Sequence, residues 1–136
     1  MIKINKNGFS VIEMAIVLLI VGIVAIIAVS VYKPYALKSH RTDGMNAIAT
    51  IQLAEETYRS NNSSYGTLGQ LGLSSTSPQS YYTLAVSNVS ATAYTITATG
   101  SGTQANDAEG ATACSPLTLT VSNSTVTEAP TACWPS

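Results

Sequence analysis

Glu13 is the only charged side chain between Phe9 and Tyr32, a stretch of 24 residues that is otherwise almost wholly apolar. A carboxylate in hydrocarbon costs about 3 kcal/mol at the bilayer centre on insertion scales, so such groups persist where a cation meets them. Lys6 stands two helical turns back, in a segment that precedes the apolar run. The partner then has to come from another chain. Cleavage after Gly8 would create it, because the freed amine of Phe9 is a positive charge lodged in apolar surroundings.

The remaining residues with chemical potential are few. Cys114 and Cys133 enclose a loop of about 20 residues, and a bridge between them in an oxidising compartment would contribute about 3 kcal/mol by restricting the unfolded chain. A pair of free thiols is the alternative. Two thiols and a distant His40 fall short of the four ligands of a zinc site. His40 stands alone and reads as solvated. Asp107 and Glu109 lie in the stretch from Gly100 to Gly110 and read as solvated carboxylates, since two acids in a loop make a weak calcium site. No arrangement for catalysis is present, and no cofactor or metal is expected. The Asn-x-Ser/Thr triplets at Asn61, Asn62, Asn88 and Asn123 are what chance gives in a Ser/Thr-rich chain.

The elements that must position these groups follow from patterning. Met14 to Val29 is unbroken apolar or glycine sequence, and Phe9 to Tyr32 spans about 36 Å as a helix, enough to cross a bilayer. Lys3 and Lys6 precede it, yet no small-residue cleavage site follows before Lys33, so an anchor fits better than a secretory signal. Lys33, Lys38 and Arg41 cluster beyond the run, where basic residues mark a membrane edge. From Pro34 the pattern turns amphipathic. Ala47, Ile48, Ile51, Ala54 and Tyr58 recur at helical spacing with Glu55, Glu56 and Arg59 interleaved, which predicts helix to about Arg59 before the Ser60 to Ser64 loop. Tyr65, Leu68, Leu71 and Leu73 anchor an ordered connection. Three alternating segments then predict half-buried antiparallel strands carrying Tyr82/Leu84/Val86, Tyr94/Ile96/Ala98 and Leu117/Leu119/Val121. The first two are joined by a turn at Asn88–Ala91, and Thr125–Thr127 predicts a short fourth strand.

The string Gly8-Phe9-Ser10-Val11-Ile12-Glu13-Met14 resembles the prepilin signature G-F-[ST]-x-x-E of the type IV pilin family, and the Cys114…Cys133 ending resembles the disulfide-bounded region of type IVa pilins. The terminal Ala132-Cys133-Trp134-Pro135 looks like the PilE/ComP group of minor pilins, which includes a DNA-uptake receptor. The resemblance implies an α+β pilin fold, a long N-terminal helix packed on a small antiparallel sheet of three to four strands. It implies a leader at 1–8, an assembly and transmembrane helix at 9–33, and a periplasmic or extracellular domain at 34–136. It further implies cutting of the Gly8–Phe9 bond by a prepilin peptidase that also N-methylates Phe9, and pairing of Glu13 with a neighbour's N-terminus. The implied partners are other pilin subunits, the inner membrane before assembly, and the pilus assembly platform. Family members commonly carry a proline near Ser30. Here the proline is Pro34, which moves the expected helix bend toward it.

The expected function is therefore that of a structural subunit of a type IV pilus. The alternatives are a DNA-binding subunit or a type II secretion pseudopilin, which a missing bridge would favour. Loss of Lys3 and Lys6 from six basic side chains leaves four against seven acidic ones, which is not the footprint of a nucleic-acid binder. Beyond Arg59 there is no Lys, Arg or His at all, so DNA is expected to bind weakly at best.

Overall fold

The computed structural model describes residues 8–135. Lys3 and Lys6 of the expected leader lie outside them. One helix, α1, runs Val11–Asn61, and the chain divides into two units, Met1–Lys33 and Pro34–Ser136.

In the N-terminal unit, Gly8 to Ser10 precede the helix and the helical residues are exposed throughout. Phe9 is 75% accessible, and Ile12, Leu18, Leu19, Ile26 and Ile27 are each more than half so. Among the described residues, α1 alone is long and apolar enough to cross a membrane. A helix apolar all round gains little by standing in water, so this segment requires lipid or other helices against it. Ser30 turns its hydroxyl back onto the Ile26 and Ile27 carbonyls, both at 3.0 Å, a local bond that hides the polar group within the helix.

The second unit holds the remainder of α1 and a four-stranded antiparallel sheet in the order β1-β2-β5-β6. The strands are β1 (Tyr82–Ser87), β2 (Ala93–Gly100), β5 (Leu117–Ser122) and β6 (Thr125–Ala129), with a separate hairpin of β3 (Ala108–Glu109) and β4 (Thr112–Ala113) between β2 and β5. The alternating side chains all point the same way. Tyr82, Leu84, Tyr94, Ile96, Ala98, Leu117, Leu119 and Val121 form one core with Ala47, Ile48 and Ile51 of the helix. Burial of each isoleucine or leucine contributes about 1.5–3 kcal/mol. Leu68, Leu71 and Leu73 of the connecting loop pack against that core.

The helix continues two residues past the expected end at Arg59 and is unbroken at Pro34. The turn between β5 and β6 is two residues, Asn123 and Ser124, both at positive φ, the geometry that matches strand twist in tight hairpins. Gly100 closes β2 where only glycine fits, because a Cβ there would lie 2.6 Å from the Gln104 carbonyl oxygen.

Candidate functional site

Gly8 and Phe9 lie outside helical structure and are exposed, so the bond between them is accessible. Glu13 falls in the first turn of α1. Its carboxylate gains from the helix N-terminus by about 0.3–1 kcal/mol. Among the described residues Glu13 makes no ion pair.

In the second unit the charges are arranged differently from the sequence expectation. Arg41, read with Lys33 and Lys38 as a membrane-edge cation, has its guanidinium inside the module. It is buried and grips Asp107 with two bonds, Nε to Oδ2 at 2.7 Å and Nη2 to Oδ1 at 2.9 Å. The same guanidinium donates to Glu109 Oε2 at 3.1 Å and to the Cys133 carbonyl at 3.4 Å. Asp107, expected to be solvated, is as buried as the core. The Asp107 carboxylate raises the Arg41 pKa above its ordinary value. Lys38 contacts both oxygens of Glu109 at 2.9–3.0 Å, and with Arg41 holds the Glu109 carboxyl below its usual range. These bonds fasten the short β3–β4 hairpin to the helix.

The hairpin in turn carries the bridge. Cys114 and Cys133 are bonded to one another and buried, and the Cys114 amide donates to the Asp107 carbonyl at 2.8 Å. His40, expected to be solvated, is half-buried and stacks on Tyr81 with ring centres 3.8 Å apart. Asp43 accepts from the Ser77 hydroxyl and the Gln79 amide, pinning the segment before β1 to the helix.

Glu55 is a further residue that helical spacing did not distinguish from its exposed neighbour Glu56. It is fully buried; Oε2 accepts the Gly66 amide at 2.8 Å, while Oε1 has no hydrogen-bond partner. Burial raises its pKa, the Gly66 bond working against that and the Glu56 charge with it. The Tyr94 hydroxyl is also buried without a partner, and burial raises its pKa well above the phenolic range. No periodic signal separates such a residue from a solvated one, since the deciding neighbour lies in a loop.

The cations left for an outside partner are correspondingly few. Arg41 is taken up internally and Lys38 is paired. Arg59 donates to the Ala91 and Asn62 carbonyls at 3.1 and 2.7 Å. Among the described residues there is no cluster of His, Cys, Asp and Glu fit to hold a metal.

An apolar helix entered through Gly-Phe with a glutamate in its first turn, followed by a helix-on-sheet module closed by a C-terminal bridge, defines a type IV pilin, a filament subunit and not an enzyme. Residues 30–118 match the family described as type IV minor pilin ComP, DNA uptake sequence receptor, and residues 3–29 match the prokaryotic N-terminal methylation motif. The first match spans well over half of the chain, which belongs to that family of type IV minor pilins. No curated protein matches the chain. The methylation motif carries with it processing by a peptidase, assembly with other pilins and residence in the inner membrane beforehand.

Proposed function

We propose that the chain is stored in the inner membrane through residues 9–33 with residues 34–136 on the periplasmic side. Its 1–8 leader is removed at the Gly8–Phe9 bond by a prepilin peptidase, the same enzyme methylates the amine of Phe9, and the assembly platform builds the product into a pilus. The carrying observation is Glu13, an anion in an apolar helix with no ion pair among the described residues. The cut makes the missing cation. In a bundle of such helices each Glu13 meets a neighbour's Phe9 amine, and a subunit inserted at the wrong height leaves both charges unmatched in a dry interior, where breaking such a pair costs about 3–5 kcal/mol. Pairing thus fixes axial register as well as adhesion. Mass spectrometry of the N-terminus in sheared filaments tests the processing. A methylated Phe9 is expected; recovery of an uncut Met1 or an unmodified Phe9 contradicts it.

A second reading follows from the family description, which names a DNA uptake sequence receptor. The described cations do not favour a strong contact of this kind, since Arg41 is buried and Lys38 is bonded to Glu109. Phosphate neutralisation needs free cations. DNA contact by this chain is accordingly weak. The Cys114–Cys133 bond counts against the pseudopilin alternative.

A further inference from the structure

The two edges of the sheet are treated unequally. At β1 the preceding loop runs alongside: Leu84 donates to the Ser75 carbonyl at 2.8 Å, Ser77 donates to the Tyr82 carbonyl at 2.9 Å, and Thr76 bridges Thr83. At β6 no main-chain group of the described residues lies outside the strand in hydrogen-bond contact. The tight turn at Asn123-Ser124 fixes which groups this leaves open. Ser122 and Thr125 close that turn as a hydrogen-bonded pair, and pairs alternate along an antiparallel ladder. Thr125, Thr127 and Ala129 therefore bond inward to β5, while the N–H and C=O of Val126 and Glu128 face outward.

This edge is only partly protected. Native edge strands are blunted by short length, charged side chains, proline or a bulge. β6 is five residues long and carries Glu128 on the core-facing side, yet it holds continuous register with β5 without a bulge and has no lysine or proline within it. Its apolar member, Val126, is 48% exposed beside buried Val121. Pro130, without an amide hydrogen, ends the segment on one side and the turn ends it on the other.

We propose that β6 is a pairing edge for β6 of a second copy of this chain. The strand is self-complementary about Thr127. In the antiparallel register that sets Thr127 against its own copy, Val126 falls opposite the partner's Glu128 and all the outward N–H and C=O groups of both strands are satisfied. No like charges meet directly, Thr faces Thr, and the Glu128 methylenes cover Val126. Nucleic acid does not fit the same edge, whose one charge is negative. The contact is short, and becomes effective where copies are concentrated, as in a membrane pool. It is isologous, joining copies in pairs, and is separate from packing through residues 9–33.

The test uses the full chain in membranes. Because Cys114 and Cys133 are bonded to each other, a Thr127→Cys variant carries one free thiol, placed where a non-hydrogen-bonded pair brings two such groups within bridging reach. Mild oxidation is expected to give covalent dimer about tenfold above an Ala85→Cys control on the covered edge, as preformed pairing raises effective concentration. Adding Val126→Pro or Glu128→Pro removes an outward N–H without touching the β5 ladder and is expected to abolish the dimer while the chain stays protease-resistant. A dimer yield no higher than the Ala85→Cys control overturns the proposal, as does a yield unchanged by either proline in a chain that stays folded.

Discussion

Arg41 and Asp107, 66 positions apart in sequence, meet as a two-bond ion pair at 2.7 and 2.9 Å with side-chain exposures of 4% and 1%. Such a pair is costly to halve. Arg41→Ala leaves Asp107 buried and unanswered, and is expected to destabilise the module by about 3–5 kcal/mol. Replacing both partners, Arg41→Met with Asp107→Leu, is expected to recover much of that loss. Thermal melts of the purified chain check both; a double variant no better than the single would place the effect in packing instead of charge.

Glu55 sets a pH dependence of opposite sign to that of Glu109. Its folded pKa is raised, chiefly by burial, so the folded state binds the proton more tightly than the unfolded one. Its contribution is favourable below the unfolded value of about 4.3 and is lost as pH rises through the folded value. Glu55→Gln keeps an acceptor for the Gly66 amide and removes the charge. Its stability advantage over the natural chain should therefore grow as pH rises from the acid range and then level off. An advantage independent of pH would contradict this. Glu109, held down by Lys38 and Arg41, stabilises above about 4.3 and loses that effect as pH falls through its folded value.

The bridge closes a loop of sequence separation 19. Cys133→Ser is expected to cost about 3 kcal/mol, seen as a lowered melting temperature under oxidising conditions. An unchanged melting temperature would mean that the Arg41 cluster alone holds the C-terminal tail.

DNA affinity should be low and fall steeply with salt, since few phosphates can be neutralised. Titration of a labelled duplex at two ionic strengths checks this. Tight binding that survives the higher salt would show a readout that needs no surface cations.

The elements of the fold were legible where periodicity speaks. Alternation at Tyr82/Leu84, Tyr94/Ile96 and Leu117/Leu119 marked three strands, and helical spacing of Ala47, Ile48 and Ile51 marked the packed face of α1. The β3–β4 hairpin was not legible, because two-residue strands carry no alternation. Arg41 read as a membrane-edge cation and Asp107 as a solvated acid for a related reason: a pairing across 66 positions leaves no local trace in either segment. Glu55 and Glu56 are adjacent and chemically identical, and only the Gly66 amide distinguishes them. The N-terminal segment was readable because its chemistry is local, a cut bond and a carboxylate five residues beyond it.

That local chemistry can be separated into its two parts. Glu13→Ala in the otherwise natural chain removes the anion without altering the Gly8–Phe9 bond, so the ratio of filament-incorporated to membrane-stored subunit, measured together with leader cleavage, isolates the pairing. Expected is cleavage near the natural level with incorporation reduced at least about a hundredfold, since about 3 kcal/mol for an unmatched buried charge is two factors of ten. Incorporation at the natural level would contradict the Glu13–Phe9 pairing directly.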